Sequence, residues 1–269
     1  MNLLGRTAVV TGGAGGIGRG IARSLARRGC HLALADIDDT ALERTAAELA
    51  TPGVQISWHH LDVGDREAVA AFPERVASEH GGVDILVNNA GVAVGGSFEQ
   101  IAEADFEWLF DINFWGVVRM TRAFLPLLDK SDDARIVNIS SVFGLIAPPG
   151  NAAYVASKFA VRGFSESLRH ELEKTRIGIT VVHPGGVATS IAKNARLPRS
   201  NDPEADEQKR KSFQAFLTMP PEIAGETIVR GVEARRPRVL VGSDAKGIAI
   251  IERLMPVNYW NLLRRRLKQ

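Results

Sequence analysis

Seven short, nearly all-apolar runs, separated by stretches of helical pattern, constrain this chain more than anything else in it. They are TAVV (7–10), HLALA (31–35), VQISWHH (54–60), DILVN (84–88), RIVNIS (135–140), GITVVH (178–183) and RVLVG (238–242). A strand that is apolar at consecutive positions is buried on both faces. That is the situation of a parallel sheet with helices packed above and below it. The first intervening stretch has helical period: Ile17, Ile21 and Leu25 recur four apart, Arg19, Arg23 and Arg27 lie on another face, and Gly29 ends the run. The arginine row reads as a solvated helix face. Repeated β–α–β order over most of the chain predicts a single α/β domain built on a doubly wound parallel sheet of about seven strands.

Composition narrows the function classes. The 269 residues are 45% hydrophobic and 24% charged, which is ordinary for a globular domain of this size. A net charge of +2, from 33 basic and 31 acidic side chains, gives no electrostatic case for a nucleic-acid partner. The lone Cys30 has no disulfide partner and no CxxC or Cys/His cluster around it, which predicts a reducing, cytoplasmic setting. His59, His60 and His183 lack metal-ligand spacing with carboxylates or cysteines and read as structural, so no metal is expected. The opening MNLLGRTAVVTGG has no charged region followed by a long apolar run, and no signal peptide is expected. No uninterrupted apolar stretch approaches the ~18 residues of a membrane span.

The first strand runs into TGGAGGIG and then a helix. Gly12 permits a tight turn, Gly16 lets the backbone approach a pyrophosphate at a helix N-terminus, and Gly18 lets the helix pack close to the strand, with Gly15 and Ile17 in the same turn. This is a variant of the dinucleotide fingerprint, in the strand–turn–helix context that the motif requires, and it makes the sheet Rossmann-type. No Gly-Lys-Ser/Thr follows the glycines, which disfavours nucleoside triphosphate hydrolysis. Asp36 closes the second strand. A carboxylate there accepts hydrogen bonds from adenosine ribose hydroxyls and repels a 2′-phosphate, favouring NAD over NADP. The neighbouring Gly15 and Ile37 bring no basic side chain to offset it. Asp36 could instead simply cap a turn in ADIDD.

TGGAGGIG, LDV (61–63), NNAG (88–91), Asn113, SS (140–141), Tyr154-x-x-x-Lys158 and HPGGVATS (183–190) follow one another in order. In these motifs the chain resembles the short-chain dehydrogenase/reductase family, over roughly residues 4–190. The resemblance implies Tyr154 as general acid/base, Lys158 as its partner, Ser141 as the second hydroxyl and Asn113 as the fourth member. Ser141 is chosen over Ser140 because the family's serine lies thirteen positions before its tyrosine. It also implies Asp62, with Val63, at the adenine. Asn89, Ala90 and Gly91 would lie at the adenosine ribose, and Pro184, Gly185, Val187 and Thr189 at the nicotinamide carboxamide and nearby phosphate. Asn113 could alternatively only bend or cap a helix, and NNAG could be purely structural.

The chemistry asks for these residue types independently. Alcohol oxidation removes an O–H proton as hydride leaves carbon, and a free tyrosine, with a pKa of about 10, is a poor base. A neighbouring ammonium favours phenolate, as does the positive charge of oxidised nicotinamide. Tyr154 and Lys158, four apart, project from one face of a helix, so the cation can lie by the phenol and also hold nicotinamide-ribose hydroxyls. Ser141 can hydrogen-bond the substrate oxygen, and Asn113 can fix a water that links Lys158 to solvent.

Residues 190–222 read as an insertion covering the nicotinamide end. Phe213, Phe216, Leu217 and Met219 there, with Val142, Phe143, Leu145, Ile146 and Pro148 after Ser141, suggest an apolar secondary alcohol or ketone such as a steroid, retinoid, long-chain or aromatic carbinol. The same side chains could instead pack only against the core. Residues 1–246 are therefore taken as one oxidoreductase domain, and 247–269 as an amphipathic basic extension with Arg264, Arg265, Arg266 and Lys268, interrupted at Pro256. Two uses of the extension stay open: oligomer packing, or peripheral contact with an anionic membrane surface. The family resemblance implies a homodimer or homotetramer, with the helices of Asn113 and Tyr154 at the interface. An NADP-linked carbonyl reductase and a non-catalytic NAD-binding regulator are the alternative functions.

Overall fold

The computed structural model of the protein describes residues 1–198, 207, 208, 211 and 214–267, with side chains described as far as Arg264. Seven strands form one parallel sheet in the order β3-β2-β1-β4-β5-β6-β7. They are β1 Thr7–Thr11, β2 His31–Asp36, β3 Ile56–His60, β4 Ile85–Asn88, β5 Ala134–Ile139, β6 Ile177–Pro184 and β7 Arg238–Val241. Each falls on one of the seven apolar runs. The helices are α1 Gly16–Ala26, α2 Asp39–Leu49, α3 Arg66–His80, α4 Glu103–Phe110, α5 Gly116–Leu128, α6 Ala152–Glu171, α7 Pro221–Glu233, α8 Ser243–Leu254 and α9 Tyr259–Leu267.

Successive residues of a strand point to opposite faces, and both faces are covered. Val10, Leu34, Ile85 and Val137 meet Ile21 and Leu25 of α1 and Ile228 and Val229 of α7. Val9, Leu86, Ile136 and Ile179 face Phe72 and Val76 of α3 and Met120 and Phe124 of α5. Each of these fully enclosed aliphatic or aromatic side chains contributes about 1.5–3 kcal/mol by leaving water. Arg19 and Arg23 of the helix-face row reach Glu48 of α2 and Glu222 of α7, so part of that solvated face also ties helices together.

The order of strands reverses direction between β1 and β4, and the loops leaving the carboxyl ends of the strands form a crevice there. One irregularity shapes its floor. Between α4 and α5, residues Asp111–Trp115 widen into a π-helical turn, which places Asn113 fully inside the protein. Helix α8 runs across residue 247, and a non-helical turn at Met255–Asn258, around Pro256, separates it from α9. Among the described residues no helix is long and apolar enough to cross a membrane, and no group of three or more His, Cys, Asp or Glu could hold a metal ion.

Candidate active site

The ends of β4 and β5 meet the first turns of α6, and four predicted residues come together there. Lys158 is only 4% exposed. Its Nζ donates to the carbonyl of Ile139, the last residue of β5, at 3.1 Å. The same Nζ stands 5.6 Å from the centroid of the Tyr154 ring, one turn earlier on the same face. Ser141 leaves β5 in an extended conformation and caps the short 3-10 turn Val142–Gly144, its Oγ accepting from the Phe143 amide at 3.1 Å. Ser141 lies close enough to the Tyr154 phenol to favour its ionised form. The Phe143 ring meets the tyrosine edge-on at 6.1 Å. Ser140 is structural: its Oγ donates to the Lys158 carbonyl at 2.9 Å and fastens the end of β5 to α6.

Asn113 is committed to the protein. Its Oδ1 accepts from the Val92 amide at 2.8 Å, and its Nδ2 donates to the Val92 carbonyl at 3.0 Å and to Ser157 Oγ at 3.2 Å. Both amide hydrogens are used, so a water in this place can be met only by the remaining lone pair of Oδ1 or by freed backbone in the π-turn. The side chain thus fastens the loop after β4 to the π-turn and α6, a bracing role beyond the expected water site.

Burial sets the protonation states. It pushes the Tyr154 phenol up to about 12, and nearby Ser141 opposes only part of this. The residue as a whole is half-buried. Burial also pushes the Lys158 ammonium down to about 8. The lowered phenol pKa expected from the neighbouring cation is therefore absent in the protein alone. The ammonium lies by the ring and bonds to Ile139, while desolvation acts on both groups at full strength.

The residues expected at a nucleotide line the crevice from β1 to β6. Gly12 and Gly16 have φ of +64° and +52°, a left-handed backbone that favours glycine. A Cβ on Gly18 would stand 2.0 Å from the Gly12 carbonyl oxygen, so this position admits no side chain while the turn is in place. Around Gly15 the space is open, as a cradle for a phosphate requires. Asn89 braces the turn, its Nδ2 donating to the carbonyls of Thr11 and Gly12 at 3.0 and 3.1 Å. Asp36 accepts from the Ala14 amide at 3.0 Å and from the Ile37 amide at 2.8 Å, so it anchors the glycine turn as well as ending β2. Asp62 accepts from the Gly64 amide at 2.8 Å, and Val63 is buried beside it. The Val63 and Gly64 carbonyls are held by Arg119, which also pairs with Asp111. Across the crevice Thr189 faces Gly16. Val187 bridges to Met219, and Gly186 accepts from the Thr218 and Met219 amides. A Cβ on Gly91 would lie 3.2 Å from Asn113 Oδ1 and 3.5 Å from Lys158 Nζ, so the loop after β4 passes close against both predicted residues. This cradle fits a dinucleotide.

A family model described as short chain dehydrogenase matches residues 6–200. The chain belongs to the short-chain dehydrogenase family. As a short-chain dehydrogenase it is 42% identical over 266 residues to SadH of Mycobacterium tuberculosis, a protein named for oxidoreductase activity, covering 96% of this chain and 94% of that one. A short-chain dehydrogenase/reductase of Burkholderia phymatum, solved in complex with NAD, superposes with a TM-score of 0.87 at 29% identity, covering 95% of each chain. An alcohol dehydrogenase of Thermococcus sibiricus, solved with 5-hydroxy-NADP, does so with a TM-score of 0.73 at 29% identity, covering 88% of this chain and 94% of that one. This short-chain dehydrogenase is accordingly an oxidoreductase of a nicotinamide-binding family.

Several features of this short-chain dehydrogenase were beyond local sequence pattern. Arg196 lies 3.4 Å above the Trp108 ring, pairs with Asp105 at 2.8 Å and bridges to Val94, laying the start of the 190–222 segment over the loop after β4. Of the apolar residues expected beneath that segment, Met219 packs on the core, Phe216 is 57% exposed, and Phe213 lies outside the described residues. Val142, Leu145 and Ile146 are buried in the protein. Tyr259 of α9 accepts a hydrogen bond from the Ala147 amide at 2.9 Å, which ties the C-terminal extension to the loop after Ser141. Lys268 lies outside the described residues.

Proposed function

We propose that this oxidoreductase uses NAD to interconvert an apolar secondary alcohol and its ketone, with Tyr154, Ser141 and Lys158 at the reacting oxygen and Asn113 bracing them. The observation that carries the reading is the meeting of Tyr154, Ser141 and Lys158 at the ends of β4 and β5, beside the glycine cradle. A nicotinamide bound there would supply or accept the hydride and, when oxidised, a positive charge. Tyr154 moves the proton. Its protonated resting state suits delivery of a proton to a ketone oxygen, and in the alcohol direction added positive charge is needed to favour phenolate. Ser141 binds the same substrate oxygen, and Lys158 would hold the nicotinamide-ribose hydroxyls and pass a proton between Tyr154 and solvent. Asp36 at the end of β2 supports NAD, because its carboxylate opposes a 2′-phosphate.

An apolar substrate is supported by what surrounds the tyrosine. Tyr154 packs in a cluster with Val92, Val94, Trp108 and Leu109, and Phe143 closes its other side. Self-association through the π-turn and α6 is supported by Trp115 and Phe159, which are 49% and 38% exposed. The test is initial-rate measurement of NAD and NADP reduction against matched panels of apolar and polar secondary alcohols. The reading expects NAD-linked turnover of apolar members. Turnover confined to sugars or small diols would overturn the substrate class, and an NADP preference would overturn the cofactor.

A further inference from the structure

We propose that His183 is a positioning residue for Ser141, its imidazole N–H holding the serine's backbone carbonyl so that the hydroxyl stays aimed at Tyr154. This rests on the reading of Ser141 and Tyr154 given above. His183 is completely enclosed near the end of β6, and its Nδ1 lies 2.9 Å from the Ser141 carbonyl oxygen. A carbonyl only accepts, so Nδ1 carries the hydrogen, and Nε2 is then a bare acceptor. Nε2 is buried and has no hydrogen-bond partner among the described residues. An apolar side chain would fill this place without an orphaned nitrogen, so the donor at Nδ1 is what the site retains.

The bond joins two loops on which the site depends. The ladder between β5 and β6 closes with the Ser140 amide on the Val182 carbonyl at 2.9 Å. Beyond it the Ser141 carbonyl has two donors: the Gly144 amide at 2.9 Å, which only closes the local turn, and the imidazole, which reaches across from β6. His183 directly precedes Pro184 and Gly185 of the loop assigned to the nicotinamide side. A shift of that loop is therefore passed to Ser141 through a rigid ring. The groups around the imidazole keep it neutral. Burial holds it down to about 4 and Arg238 and Arg162 push the same way, while the Ser141 carbonyl and Glu166 oppose them without overcoming burial.

The test compares His183→Asn with His183→Leu. The asparagine Nδ2 stands as many bonds from Cα as Nδ1 and keeps the donor, whereas leucine keeps bulk alone. The chain has two tyrosines, Tyr154 and Tyr259, so in a Tyr259→Phe background tyrosinate absorbance reports Tyr154 alone. With NAD present, the leucine variant is expected to lose about tenfold or more in kcat, with KM and NAD affinity kept within about twofold. Its tyrosinate titration moves upward, because the lowering influence of Ser141 on the phenol is weakened. His183→Asn restores both. Equal behaviour of the two variants, or a leucine variant like the parent, overturns the proposal. If leucine does not fold, His183→Ala takes its place under the same comparison. If the parent turns over no alcohol, the wider reading fails separately, while NAD binding and the tyrosinate titration still decide the role of His183.

Discussion

Replacing Lys158 with methionine should make the protein more stable at neutral pH. Lys158 is 4% exposed and its ammonium has a pKa of about 8 against an ordinary 10.5. That gap corresponds to about 3 kcal/mol of destabilisation when the buried group is charged. Methionine fills nearly the same volume without charge. It forfeits the bond to the Ile139 carbonyl, which is 3.1 Å long and contributes about 1 kcal/mol. The net expectation is a gain of about 2 kcal/mol near pH 7. The sign of its pH dependence follows from linkage. Between about 8 and 10.5 the unfolded chain binds more protons at this lysine than the folded one, so native stability rises with pH there. The advantage of Lys158→Met should therefore shrink as pH climbs from about 7 towards 10. Tyr154, held up to about 12, acts in the opposite direction above the ordinary 10 and bounds the usable range. Urea unfolding of both proteins across that window is the assay. A variant less stable than the parent near neutrality, or a difference that does not change with pH, would refute the reasoning. Activity should be lost in the same variant, in keeping with strain held at a functional site.

Three further outcomes follow from the same geometry. Asp36→Ser should improve binding of NADP relative to NAD by about tenfold or more, since a carboxylate facing a 2′-phosphate is removed; titration of both cofactors by intrinsic fluorescence reads the ratio. Gly18→Ala places a Cβ 2.0 Å from the Gly12 carbonyl oxygen; it should lower stability by about 1–3 kcal/mol and weaken NAD binding with it, as thermal unfolding with and without NAD would show. Arg28 and Ser24 hold the Glu226 carboxyl down to about 2; its contribution is fully present above the ordinary 4.5 and is lost as pH falls through about 2. Because Glu226 is 35% exposed, Glu226→Gln should cost no more than about 1 kcal/mol above pH 5 and nothing measurable in strong acid.

How much of this was legible before the structure depends on the range of the signal. Continuous burial of β1, β4 and β5 writes itself into consecutive apolar residues, so the sheet and its parallel sense could be read locally. The glycine turn and the Tyr154–Lys158 pair are also local, one a change of backbone permissiveness and the other a helix period. What escaped is long-range or electrostatic. The tie of His183 to Ser141 spans two strands, and its only trace was a histidine directly before Pro-Gly-Gly. Arg196 on Trp108 and Tyr259 on Ala147 join segments that no periodicity relates. The commitment of Asn113 to Val92 depends on a π-turn that the pattern of residues 103–128 does not announce. The direction of the Tyr154 shift depends on how completely its hydroxyl and Lys158 are enclosed, a quantity that spacing along a helix does not contain.

The central claim is that Tyr154 moves the proton during NAD-linked interconversion of an alcohol and a ketone. The most direct test is the rate of NAD reduction by the best apolar secondary alcohol for the parent protein and for Tyr154→Phe, with NAD affinity measured beside it. The account predicts that the phenylalanine variant keeps NAD binding and loses turnover by about a hundredfold or more. Turnover that survives the substitution would contradict it.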